Sequence, residues 1–336
     1  MPRRMTRPAG IRPLAAFAVA ALALTACGAS SDATTAGSTP STSPQGVVTP
    51  QTAKRVVDTY IKVNNQANKT RNARLLGTVE AGQLYQQSKA DFEQWDTWDK
   101  DKQDDYREPF SYQDRTYLIP RQGTGSWFAV KARSGAGDDD QVLLVFDRVN
   151  GAYKLVVAAY PDTGEKLPDI AVDQHGLATA VDAATPVGSL APKQLGAAYA
   201  DLYETGGTKE GTHLAATKPR AAAVEAYKQR NDNRKIARLA EKRFYDAPPA
   251  HSTVYSLRTA DGGVLSAVPA AHTQELMLKP AYMATYKINP TEEEAVYNSS
   301  GRALIVDEFQ GQALAVLKPR SKARLISTEW RMVDSR

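Results

Sequence analysis

Residues 141–160 read QVLLVFDRVNGAYKLVVAAY. Asn150-Gly151 at the centre is the strongest short hairpin signal in the chain, because a type I′ turn needs positive φ at both central residues. The flanks, Gln141–Val149 and Ala152–Tyr160, are rich in Val, Leu, Tyr and Phe and read as strands. A two-residue connection joins antiparallel strands, so this stretch sets an antiparallel sheet.

Working outward, Arg115–Ile119 and Ser126–Lys131 read as two further strands after Pro109. Before them the pattern is helical. Thr49-Pro50 supplies an N-cap and a Pro at N1. Val56, Val57, Tyr60, Ile61 and Val63 then fall near one helical stripe. More helix is expected through Arg74–Leu76 and from Glu80 to Trp98, with Leu84, Tyr85, Phe92 and Trp95 as core positions. Downstream, Pro161–Ser189 is rich in Asp, Gly, Pro and small residues and reads as a connection.

The order then repeats. Ala191-Pro192 opens a helical region with Leu195, Tyr199, Leu202 and Tyr203 three or four apart, and Arg220–Phe244 is expected to be helix up to Pro248-Pro249. Strands follow at Thr253–Arg258, Val264–Val268, Glu275–Leu278, Ala295–Tyr297, Ala303–Phe309, Ala313–Lys318 and Arg324–Val333, with turns at Phe309–Gln312 and Pro319–Ala323. Helices then strands, twice, make an α+β chain of two tandem domains, 49–183 and 190–336, each a helical layer on an antiparallel sheet. This layout resembles the cone-shaped nuclear-transport-factor-2-like fold.

The N-terminus has a different character. Arg3, Arg4, Arg7 and Arg12 precede an eleven-residue apolar stretch, Leu14–Leu24. At ~1.5 Å per residue it reaches roughly 16 Å, half of a ~30 Å hydrocarbon core, so it reads as a signal h-region and not a spanning helix. Leu24-Thr25-Ala26-Cys27 with Gly28 follows, and Cys27 is the only cysteine. This resembles the lipobox of actinobacterial lipoproteins. The resemblance implies a signal peptide over 1–26 and a diacylglyceryl Cys27 that begins the mature chain. It covers the first fifty residues and assigns no activity. Residues 27–48 then form the lipidated Cys and a tether rich in Ser, Thr, Ala, Gly and Pro, a composition that buries too little surface to order itself.

The formal charge is +5. The four n-region arginines supply most of it, leaving the mature chain near +1, so the basic balance does not point to nucleic acid. The four histidines, His175, His213, His251 and His272, have no partner at a metal-ligand spacing, and there is no HExxH or CxxC. Asp99, Asp101 and Gln103 match the first positions of a calcium loop, but Asp104 and Phe110 occupy the Gly and Glu positions. Nucleophile motifs of the Gly-x-Ser-x-Gly and Ser-x-x-Lys kinds are missing. Gly123-Thr124-Gly125 ends in Phe128 where a dinucleotide loop needs Gly. No metal, cofactor or catalytic residue is assigned.

Charge gives the one candidate contact. Arg230, Arg234, Arg238 and Lys242 lie four apart and would stack on one face of the expected helix. That stripe, like the acidic segment Asp91–Asp105, reads either as a solvated helix face or as a contact, the basic stripe then meeting an anionic surface: headgroups, cell-wall polymer or the acidic segment of a neighbouring domain or molecule.

The sequence thus reads as a lipoprotein anchored through Cys27 at the extracytoplasmic face of the cell membrane. It acts as a non-catalytic binding or interaction module, whose partner is a small apolar ligand or another envelope protein. Two alternatives differ in class. A solute-binding receptor of a transporter alternates strand and helix, whereas here they are segregated. A small pocket enzyme of isomerase type needs a buried carboxylate of perturbed pKa beside a Tyr.

Overall fold

Thr49 opens the first helix as its composition dictates: its hydroxyl accepts from the Thr52 amide over 3.2 Å, with Pro50 in the first turn. Helix α1 (Pro50–Thr70) buries Ala53, Val57, Tyr60, Asn64 and Ala67, one residue per turn. Three shorter helices follow, α2 (Ala73–Leu76), α3 (Gly82–Glu93) and α4 (Lys100–Arg107). Asp99 caps α4, so the would-be calcium loop is helix instead. The computed structural model describes residues 44–134 and 141–336. The expected signal segment (1–26), Cys27, the part of the expected tether up to residue 43 and Asp138–Asp140 lie outside the described residues.

Strands β1 (Gln113–Leu118), β2 (Phe128–Arg133), β3 (Gln141–Val149) and β4 (Ala152–Ala159) form a sheet in sequence order, antiparallel throughout. Asn150 and Gly151 sit at φ 53° and 83°, as the turn between β3 and β4 requires. The second half begins with α5 (Leu195–Glu204), α6 (Lys218–Gln229) and α7 (Arg234–Leu239). Strands β5 (Ala240–Asp246), β6 (Tyr255–Arg258), β7 (Val264–Leu278), β8 (Leu304–Leu317) and β9 (Arg324–Ser335) build the second sheet, in the order β5-β7-β8-β9 with β6 beside β7. A short helix, α8 (Glu292–Ala295), lies between β7 and β8. The fold is α+β with two antiparallel sheets.

The apolar runs of the sheets are continuous because both faces are covered. Phe128, Val130, Leu144, Phe146 and Leu155 face α1, packing with Val57 and Tyr60. Their neighbours Ala129, Leu143, Val145 and Val157 point the other way, onto Leu257, Leu265, Leu314 and Val316 of the second sheet. The far face of that sheet, through Val268, Ala313 and Leu317, meets Leu195, Tyr199 and Leu202 of α5. The layers run helix, sheet, sheet, helix, and the innermost core belongs to both halves. Residues 161–189 are pinned to both sheets: the Ala178 amide donates to the Ile119 carbonyl and the Val181 amide to the Ser256 carbonyl, each 2.9 Å.

Four expectations from the sequence are corrected. The Arg220–Phe244 helix breaks after Gln229, because Asn231 turns to bond the Lys242 backbone (2.9 and 3.3 Å) and Asn233 caps α7. The chain then enters β5, so Lys242 is in a strand. Val264–Val268 and Glu275–Leu278 are parts of one strand, β7. The turn expected at Phe309–Gln312 is the middle of β8. Ala295–Tyr297 is the end of α8 and its exit, not a strand. Among the described residues no helix is long and apolar enough to cross a membrane.

Candidate functional site

The central strand β7 has an interruption along one edge. Strand β6 pairs with it from Val264 to Ala267, and β5 takes over at His272. Between them sits Pro269, which has no N–H to leave unpaired. The segment joining β5 to β6, with Pro248-Pro249, lines this gap, and α5 presents Gly196, Ala197 and Ala200. Small residues on one wall and the β5–β6 connection on the other border a groove of about 430 Å³. Tyr203, His272 and Trp330 also line it, with Lys193 and Asp246 of opposite charge.

His272 is almost fully buried (4% exposed) among rings. Phe309 lies parallel to it at 4.8 Å, Tyr203 near-parallel at 5.1 Å, and Trp330 edge to face at 4.4 Å. Burial, helped by the Lys242 ammonium, pushes its pKa down to about 3, so the ring is neutral near pH 7. Its protonation follows from its neighbours. Lys242 can only donate, and its Nζ lies 3.2 Å from Gln274 Oε1, so the Gln274 amide nitrogen faces His272 Nε2 at 3.2 Å. Nε2 therefore accepts, and the proton resides on Nδ1, which has no hydrogen-bond partner. Tyr203 and Trp330 are held in turn by Tyr199, whose hydroxyl accepts from Trp330 Nε1 at 2.6 Å and lies 3.3 Å from the Tyr203 hydroxyl.

A polar cluster joins the two sheets. Asp147 of β3 accepts from Ser126 Oγ (2.6 Å), the Arg148 amide (2.7 Å) and Tyr255 Oη of β6 (2.7 Å). His251 Nε2 lies 2.5 Å from that hydroxyl. Burial alone would raise the Asp147 pKa, but the donors outweigh it and hold the carboxyl below the usual range.

The third feature is a buried acid beside a tyrosine. Glu80 takes hydrogen bonds from Tyr60 Oη and Asn64 Nδ2, both at 3.0 Å. Burial still pushes it up to about 8. Tyr112 and Phe146 rings pack on Tyr60. The groove over His272 does not reach this acid, and neither does a second groove of about 360 Å³ on β1 and β2, lined by Asp114, Lys131 and Arg133.

Residues 44–336 match the family described as Domain of unknown function (DUF8094). The chain belongs to that family. It is also similar to an uncharacterized lipoprotein of Streptomyces coelicolor, 33% identical over 265 residues, which covers 75% of this chain and 74% of the relative. No solved structure matches. The family match begins at residue 44, inside the stretch expected to be tether, and takes in all the helices and strands described above; the lipoprotein name of the relative accords with the lipobox reading of Leu24–Cys27.

The four residues of the basic stripe do not share a face. Arg230 is the C-cap of α6 and stacks on Tyr227 at 3.8 Å, Arg234 and Arg238 are on α7, and Lys242 is on β5 turned toward Gln274. The acidic segment Asp91–Asp105 does not meet them. Its Asp91 pairs with Arg331 of β9 at 2.8 Å, while Trp95 and Trp98 pack with Tyr106. Among the described residues no group of three His, Cys, Asp or Glu could hold a metal. Sequence reading missed His272, Glu80 and Asp147 because each has partners distant in the chain; Pro269 inside an apolar strand run was the one local signal of the gap.

Proposed function

We propose that this family member is a membrane-anchored envelope lipoprotein, held through a diacylglyceryl Cys27 on the extracytoplasmic face. Its folded part is a non-catalytic binding module. The groove over His272 takes a small, planar, largely apolar ligand. The observation that carries this reading is the neutral His272 ring, stacked between Phe309 and Tyr203 at the edge of a cavity about 430 Å³ in volume. That size lies in the ~300–1,000 Å³ range of small-molecule sites, which are mostly apolar with a few placed polar groups. The repeat of one layout, a helix over its own antiparallel sheet, supports two tandem units similar to the nuclear-transport-factor-2-like fold. Segregated helices and strands count against a transporter receptor.

The test is native mass spectrometry of residues 28–336 purified from the native host. The reading expects a stoichiometric extra mass of small-molecule size that disappears on denaturation and is missing from Ala200→Trp, which fills the groove. A bare mass, or a ligand that the filled variant retains, overturns it.

One observation favours an enzyme of isomerase type as a second reading, the Tyr60–Glu80 pair, which supplies a protonated buried acid beside a hydroxyl. Access decides this. Rapid carbodiimide labelling of Glu80 in the folded protein would support it, and protection until unfolding would remove it.

A further inference from the structure

We infer that α7 and the segment after β7 form a face that docks on anionic lipid headgroups; this rests on the lipoprotein reading above. Asn233–Leu239 carries Arg234, Lys235 and Arg238 and no acidic residue, and Lys279–Lys287 (KPAYMATYK) carries Lys279 and Lys287, again with none. The fold brings these two stretches together. The Lys279 amide donates to the Leu239 carbonyl over 2.8 Å, and its Nζ to the Ala237 carbonyl over 2.6 Å.

Apolar groups stand among the cations. Ile236 is 48% exposed, Met283 39% and Tyr286 47%, three of the seven large apolar side chains exposed among the described residues. Asp232 lies before the α7 cap, Glu241 after α7 is paired with Arg243 at 2.8 Å, and the acids that follow Lys287 begin only at Glu292, in α8. Five cations interleaved with an Ile, a Met and a Tyr suit a bilayer surface. Cations are drawn to anionic headgroups, Tyr favours the interfacial zone, and aliphatic tips enter the acyl boundary. A protein partner with a complementary acidic surface is the competing occupant. The bilayer is favoured because the lipidated Cys27 already confines the chain beside one.

The experiment uses lipid-free residues 28–336, which contain the whole described fold, and vesicles of phosphatidylglycerol and phosphatidylcholine against phosphatidylcholine alone. Sedimentation should show binding only to the anionic vesicles, lost in 0.5 M NaCl. It should fall at least tenfold in Arg234→Gln/Arg238→Gln/Lys287→Gln, which spares the Lys279 bonds, and in Ile236→Ser/Met283→Ser. Lys62→Gln, an exposed cation on α1, should bind as wild type. Equal partition into both vesicle types, or full binding by the correctly folded triple variant, overturns the proposal. The anchor is checked separately: Cys27→Ser should release the protein from the cell's membrane fraction whether or not the lipid-free chain binds vesicles.

Discussion

Tyr255 of the second sheet donates its hydroxyl hydrogen to Asp147 of the first, over 2.7 Å. This clasp lies beside an otherwise apolar inter-sheet core, and Trp127 packs edge to face on the same ring at 5.2 Å. Tyr255→Phe keeps the ring and removes one donor to a buried carboxylate. A hydrogen bond to a charged group contributes about 1.5–3 kcal/mol, so the urea midpoint should fall by that equivalent at constant m-value. An unchanged midpoint would mean that Ser126 and His251 hold Asp147 unaided.

Glu80 and His272 make stability depend on pH in opposite senses. Glu80 titrates at about 8 when folded against an ordinary 4.5, so the folded state binds the extra proton between those values and stability falls as pH rises through them. His272 titrates at about 3 against 6.5, so the unfolded chain binds the extra proton and stability falls as pH drops through that window. The two slopes cancel where the windows overlap, from 4.5 to 6.5. Relative to wild type, Glu80→Gln should lose the alkaline decline and His272→Phe the acid decline. At about 1.36 kcal/mol per pH unit, each difference approaches about 3–5 kcal/mol across its window. Urea midpoints at a series of pH values would show it; profiles parallel to wild type would refute it.

Arg331 is the cation facing the buried Asp91, at 2.8 Å, and Tyr106 also donates to that carboxylate. Arg331 is 44% exposed, so solvent screens the pair, and Asp91 keeps Tyr106 and the nearby Lys102 when the guanidinium is removed; the loss should be about 1–3 kcal/mol. Arg331→Met should show that loss in thermal or urea unfolding. Asp91→Leu combined with Arg331→Met should recover much of it, and equal losses in single and double variants would count against the pairing.

Gly311 lies in mid-strand with Trp330 over it. A Cβ there would be 2.4 Å from Trp330 Cε3 and 2.4 Å from the Glu329 carbonyl oxygen. Gly311→Ala should therefore push the indole off its place and break its bond to Tyr199. Overpacking of this kind costs roughly 1–3 kcal/mol. A shift in tryptophan emission together with a lowered midpoint is the expected result; wild-type emission would show that the ring had not moved.

The same glycine explains where sequence reading failed. Phe309-Gln310-Gly311-Gln312 has the composition of a turn, yet here the glycine serves close approach by a ring contributed by β9. Local chemistry was legible: the Thr49 cap, the α1 stripe and the Asn150-Gly151 hairpin are each specified within a few residues. Arg220–Phe244 is rich in helix formers, and the break at Asn231–Asn233 was visible only as a cluster of turn formers. His272 gave no sign because its ring neighbours come from residues 203, 309 and 330. The Tyr60–Glu80 pair stayed hidden likewise, one side chain on α1 and the other in the connection between α2 and α3.

Because the inner faces of the two sheets cover one another, the order of synthesis matters. Ala129, Leu143, Val145 and Val157 are complete long before their partners Leu314, Val316 and Ile326 exist. At roughly 5–20 residues per second the first sheet waits on the order of ten seconds or more with one apolar side bare. The core between the sheets can therefore close only after the last strand is made. Until the last strand arrives, the unfinished chain presents a sticky surface that a holdase would recognise.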